Sequence, residues 1–299
     1  MSTIERRPVW LPGHRTGRVT NVVRAHPVPA FLTLGLGLGG LLSTVALLAH
    51  HRVVPGAWLL SRLPMEVDET VGWLVMVGGM FPAALLVTYL VDGGPGVRAL
   101  LGRAVAWRFP PVWWVLVVAA LPLLSMAIGL TLGGTVGAPH PWTVIGRQLL
   151  LVGLTVVVVN LWEETAWAGF LQTRLGARHN VVVAALLTAV PFAAAHLPLQ
   201  FVTDFTAASV ALGFVALLVL CFVVRLLIGV VLRGAGGSVL AVAILHAVFN
   251  RSNNGDGVLA ALLHGVNYQV CALAAALLLA ILLALVLRTR PRSFLLERT

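Results

Sequence analysis

The chain contains no lysine: its 20 basic residues are all arginine, set against ten acids. Charged residues make up only 10% of its 299 residues and hydrophobic ones 59%, whereas an average soluble domain is about 45–50% apolar and about 25% charged. So little charge cannot coat a soluble globule of this length, which excludes a soluble enzyme and a disordered chain. Cysteine is scarce as well. Cys221 and Cys271 both lie inside apolar runs, so neither a disulfide-stapled secreted domain nor a cysteine-rich zinc site is expected. The arginines are split among short segments rather than gathered in one stripe, and nucleic acid is therefore not expected as a partner. What remains is an all-α polytopic membrane protein whose solvent is lipid. Arginine without lysine, beside abundant Ala, Val, Leu and Gly, has the look of a GC-rich bacterial genome.

A spanning helix needs about 20 apolar residues. Eight runs qualify or come close: about Val28 to Ala49, Val71 to Val91, Val112 to Leu132, Val144 past Trp162, Val181 to His196, Ala208 to Leu232, Ser238 to Asn250, and Val266 to Leu287. The fifth and seventh are short. Arg-rich loops (Arg6 to Arg24; Arg98, Arg103, Arg108; Arg174, Arg178; Arg233; Arg288 to Arg298) alternate with Arg-poor ones. The positive-inside rule then places both termini in the cytoplasm of a bacterial plasma membrane crossed by about eight transmembrane helices. The first apolar run starts after 27 residues and is too long for the core of a cleaved signal peptide. Trp10, Trp58, Trp73, Trp107, Trp113 and Trp142 fall near predicted helix ends, as interfacial anchors do. Gly35, Gly37 and Gly40 match G-x-G-x-x-G, but within an apolar run; Gly35 and Gly39, four apart, instead predict close helix packing.

Against this background a few polar residues are out of place. Glu163 and Glu164 follow the run Leu149 to Trp162, which is interrupted only by Thr155 and Asn160. A carboxylate at mid-bilayer costs at least about 2.5–3.5 kcal/mol, so such residues face a protein interior or a wet cavity and are usually sites. His196 ends Phe192-Ala193-Ala194-Ala195-His196, and His246 and Asn250, four apart, share a helix face. Either histidine alone has a bland reading as a packing residue. An acid pair, two imidazoles and an amide on three hydrophobic helices together form the inventory for activating a water and stabilising an oxyanion.

Glu163-Glu164, Phe192-x-x-x-His196 and His246-x-x-x-Asn250, in this order, with 33 residues from Glu163 to His196 and 50 from His196 to His246, resemble the CPBP intramembrane protease family. That family includes the type II CAAX prenyl endopeptidases and bacterial relatives linked to bacteriocin self-immunity. The resemblance covers roughly residues 144–290. It divides the chain into a cytoplasmic segment 1–27, three N-terminal transmembrane helices in 28–143, a catalytic core 144–290 and a cytoplasmic tail 291–299. One position departs from the pattern: the family's Glu-Glu-x-x-x-Arg reads Ala168 at the arginine. Arg225, deep in the sixth run, is a candidate substitute, against the blander reading that it snorkels toward the cytoplasm.

The resemblance implies hydrolysis of a peptide bond within the membrane, in a peptide or membrane-protein substrate. Glu163 would act as general base on a water that His196 shares, Glu164 would hold its neighbours, and His246 and Asn250 would donate to the oxyanion. The family is commonly described as metalloproteases, and Glu163, His196 and His246 could hold one Zn²⁺ with an open position. A metal-free glutamate mechanism suits the same residues, and the absence of a compact H-E-x-x-H spacing tilts the balance toward it. Two other classes compete: a non-catalytic immunity or chaperone-like factor of the same fold, which Ala168 favours, and a proton-coupled transporter, which the lack of paired repeats disfavours.

Overall fold

The computed structural model of the chain describes residues 18–63 and 65–289. Segments 1–17 and 290–299, with Arg6, Arg7, Arg15, Trp10 and the last arginines, lie outside the described residues. A short leading helix, Arg18–Ala25, precedes the bundle. The bundle helices are α1 (Pro27–His50), α2 (Val67–Ala104), α3 (Pro111–Thr131), α4 (Pro141–Gly176), α5 (Val181–Phe201), α6 (Ala207–Gly234), α7 (Val239–Asn253) and α8 (Tyr268–Thr289). All except α7 are long and apolar enough to cross a membrane, which makes seven such helices among the described residues, where about eight are expected. At 15 residues α7 is about 22 Å long, short of the roughly 30 Å hydrocarbon core. Most of its residues are buried against the other helices, so it meets protein rather than lipid and needs no lipid-matching length.

Local chemistry sets the helix starts. Proline occupies the first turn of α1, α3 and α4, where its missing N–H costs nothing. Asn180, Thr206 and Ser238 cap α5, α6 and α7 by accepting from the N–H groups of Val183, Ser209 and Ala241. α2 is broken near its end, where Gly93 takes φ 68° just before Gly94-Pro95.

Packing follows from small residues. A Cβ added to Gly79 would lie 2.5 Å from Gly39 Cα and 2.8 Å from Gly35 O, so α1 and α2 cross only because these positions lack side chains. This is the close packing that the Gly35/Gly39 spacing predicts. Trp113 departs from expectation. It is 5% exposed, and its indole fills the space over Gly234, so it is a core residue rather than an interfacial anchor. Trp58, Trp107 and Trp142 are exposed, as anchors require.

The core has two lobes that share α4. Trp167 and Phe170 pack with Phe31, Met80 and Phe192 in one, while Ala168 belongs to the other with Val117, Leu121, Leu227 and Leu245. Every residue from Glu163 to Gln172 is buried, whereas earlier in α4 Leu150 and Val157 are more than 60% exposed. The helix thus passes from the lipid-facing wall into the middle of the bundle at the acid pair.

Candidate active site

The acids sit between two wide turns of α4. Val156–Asn160 and Thr165–Gln172 are π-helical, with Leu161–Glu164 as one α turn between them. Such bulges change which residues face inward and recur at functional sites. Here Asn160, Glu163 and Glu164 are all buried, at 1%, 4% and 0% exposure.

Glu164 is held on two sides. Arg225 of α6 gives it a bidentate pair, Nη1 to Oε2 at 2.9 Å and Nη2 to Oε1 at 2.6 Å, with both side chains fully enclosed. His246 of α7 donates Nδ1–H to the same Oε1 at 2.6 Å. The guanidinium also lies 3.9 Å from the centroid of the Phe192 ring. Arg225 therefore does not snorkel: it is the enclosed charge partner of Glu164. An enclosed arginine and glutamate are tolerable only as a hydrogen-bonded pair.

Glu163 is less committed. Asn160 donates Nδ2–H to its Oε2 at 3.3 Å, and His246 Nδ1 stands 3.7 Å from the same oxygen, beyond hydrogen-bond range. Its other oxygen has no partner among the described residues and is not one of the fully enclosed orphan atoms. One carboxylate is thus saturated, while its neighbour keeps a free oxygen.

His196 and Asn250 stand apart from this cluster. His196 is half-buried at the end of the α-helical part of α5, and its Nδ1 lies 2.8 Å from the Phe192 carbonyl. A carbonyl can only accept, so Nδ1 carries the proton and the neutral ring offers Nε2 as an acceptor. The Phe192 ring lies tilted between the two imidazoles, its centroid 4.5 Å from that of the His196 ring and 6.1 Å from that of His246, so it adjoins both without a hydrogen bond. Asn250 is half-buried one turn beyond His246, and its amide makes no hydrogen bond among the described residues.

The metal question turns on donor occupancy. The ligand atoms that lie within 4.8 Å of one another belong to Glu163, Glu164 and His246, and the set does not include His196. Both oxygens of Glu164 are taken by Arg225, and Nδ1 of His246 is taken by Glu164. In this set one oxygen of Glu163 and Nε2 of His246 have no hydrogen bond among the described residues, while the Glu164 oxygens are held by Arg225.

A second polar assembly secures the same helices. Arg103 of α2 donates from Nε to Gly237 O at 2.9 Å, from Nη1 to Gly169 O at 3.1 Å and from Nη2 to Thr173 Oγ1 at 2.9 Å. Ser238 Oγ–H donates to Ala106 O at 2.6 Å while capping α7. Gly169 lies five residues past Glu164, and Ser238 begins the helix that carries His246. Helix α2 thus fixes α4 and α7, which bear Glu163, Glu164 and His246. Composition could not reveal this, because Arg103 reads as an ordinary loop charge.

The arrangement is a carboxylate with one unpartnered oxygen beside a carboxylate–imidazole–guanidinium network, buried within the helix bundle. Residues 145–252 match the family model described as type II CAAX prenyl endopeptidase Rce1-like. The match supports the CPBP/CAAX intramembrane protease family and, at that level, a protease of CAAX type. It contains every residue of the cluster, while Arg103 lies outside it. No curated protein matches the chain.

Proposed function

We propose that the chain is an intramembrane endopeptidase in which Glu163 activates a water without a metal. The reading rests on one observation above all: two adjacent buried acids in which Glu164 is fully paired and Glu163 retains an open oxygen. Glu163 takes a proton from the water as the water oxygen bonds to the scissile carbonyl carbon. The carbonyl π pair moves to its oxygen, and the oxyanion accepts from Asn250 Nδ2–H and from the Nε2–H of His246 in its doubly protonated form, whose Nδ1–H stays on Glu164. On collapse the C–N bond breaks, and Glu163 passes its proton to the leaving amine. His196 accepts the second O–H of the water at Nε2, the nitrogen left free by its bond to Phe192 O. Glu164 acts through others, orienting His246 and neutralising Arg225.

The substrate is a peptide or membrane protein, and the chain works in a bacterial plasma membrane with both termini cytoplasmic. The rival reading as a non-catalytic binder drew its support from Ala168, and Arg225 at Glu164 weakens it. The test is cleavage of fluorescein-labelled casein by purified protein in detergent, with and without a chelator. Glu163→Gln is expected to lose at least about 10²-fold in turnover, within the range typical of a general base, while chelator leaves the wild type unchanged. Retained turnover in Glu163→Gln removes Glu163 from this role, and loss on chelation removes the metal-free mechanism.

A further inference from the structure

Asn160 lies outside the three motifs and breaks the apolar run just before the acids. It is 1% exposed, its Nδ2 reaches Glu163 Oε2 at 3.3 Å, and its Oδ1 is buried with no partner among the described residues. The amide orientation is dictated by chemistry, since only the NH2 face can meet a carboxylate. A buried acceptor without a donor is unfavourable, so Asn160 is not there to satisfy its own hydrogen bonds. The i, i+3 spacing, at the end of the bulge and into the α turn that follows, lets the Asn160 side chain reach Glu163.

What that contact does follows from the rest of the cluster. His246 Nδ1 is 2.6 Å from Glu164 and 3.7 Å from Glu163, so a swing of Glu163 would bring both acids onto one imidazole N–H. We infer that Asn160 is a positioning residue that holds Glu163 away from His246, keeping one acid for the imidazole and the other free for the water. The inference deepens the protease reading and rests on it for its kinetic consequence, though not for its geometric one.

Two measurements on the full-length purified protein test it, with Asn160→Leu as an isosteric variant lacking the donor and Asn160→Ala as a second in case Leu does not fold. The first is an experimental structure of the variant. Glu163 Oε2 is expected to move into hydrogen-bond distance of His246 Nδ1, whereas a carboxylate that stays in place overturns the inference. The second is kinetics on labelled casein. kcat is expected to fall about 10²-fold, the scale of a small misplacement of a reacting group, with KM within about threefold. A purely structural role would instead lower the yield of folded protein and leave kcat per active molecule unchanged, and turnover within threefold of wild type also counts against the inference. If the wild type cleaves nothing that Glu163→Gln leaves intact, the protease reading fails, and the position of the carboxylate alone decides the role of Asn160.

Discussion

Arg225 and Glu164 carry the largest stakes of any pair in the chain, because each is fully enclosed and each is the other's main partner. Removing either alone leaves a buried charge, a change that costs about 3–5 kcal/mol, whereas replacing both with apolar residues is often nearly neutral. Arg225→Leu and Glu164→Leu are each expected to destabilise the protein on that scale, with the double variant recovering most of the loss. Unfolding in detergent measures this, and additive losses would show that the pair is not a unit. Cleavage should be lost in Glu164→Leu and in the double variant, since His246 then has no acid to hold its Nδ1–H, and should fall in Arg225→Leu, where Glu164 loses the guanidinium that fixes it.

At this scale the sequence was informative where a residue was expensive. Glu163, Glu164, His246 and Arg225 were all legible because charge or imidazole in an apolar run needs a reason. Asn160 was not, since a lone uncharged amide in a hydrophobic helix has many bland explanations. Nor was the separation of His196 from the hydrogen-bonded cluster, which depends on how the Phe192 ring fills the space between helices.

Among the elements, α4 and α7 matter most, and their relation is set at both ends. At one end Arg103 and Ser238 tie them to α2. At the other, Arg251 of α7 donates to Gln148 Oε1 at 2.8 Å and to the Asp256 carbonyl at 2.6 Å, while Gln148 Nε2 reaches that same carbonyl at 2.8 Å. Charge-assisted hydrogen bonds contribute about 1.5–3 kcal/mol each. Arg103→Leu is therefore expected to lower both the melting temperature and the turnover, although residue 103 is remote from Glu163 in sequence. Unchanged turnover would mean that the cluster does not depend on this tie.

The Asp256 carboxylate is a minor part of the other clamp. The hydrogen bond from Arg251 holds its carboxyl below the usual carboxylate range. A lowered folded-state pKa stabilises above the ordinary value, and the contribution is lost as pH falls through the lowered one. Because this side chain is 64% exposed, Asp256→Asn should cost less than about 1 kcal/mol at pH 7, with the difference vanishing in acid. Melting curves at both pH values check the sign. The helix starts were legible from proline, Asn, Thr and Ser. The π turns of α4 were not, because they arise from packing rather than from any local residue signal.

Over the whole molecule, several polar ties among the described residues join elements that eight alternating passes would bring together. His50 and His51 at the end of α1 reach the carbonyls of Val202 and Phe201 after α5. Thr135–Val136 after α3 pairs with Leu263–His264 before α8. Arg103 of α2 and Arg174 of α4 each meet a partner on the other's helix. The short α7 thus runs from one set of ties to the other, as a span would. Cys221 and Cys271 are each 1% exposed, so single added cysteines can report sidedness. Arg178→Cys is expected to label only from the cytoplasm, and Asp204→Cys and Asn254→Cys only from outside. Cytoplasmic labelling at residue 254 would show that α7 does not cross. The sequence made the number of apolar runs plain, but it could not show that one of them is short because protein surrounds it.

The most direct measurement is a comparison of newly formed peptide N-termini in membranes from cells expressing the wild-type chain or Glu163→Gln at equal levels. A set of termini present with the wild type and missing with Glu163→Gln is the expected result. Identical sets in the two strains would contradict hydrolysis at the acid pair and leave the cluster as a structural knot of the bundle.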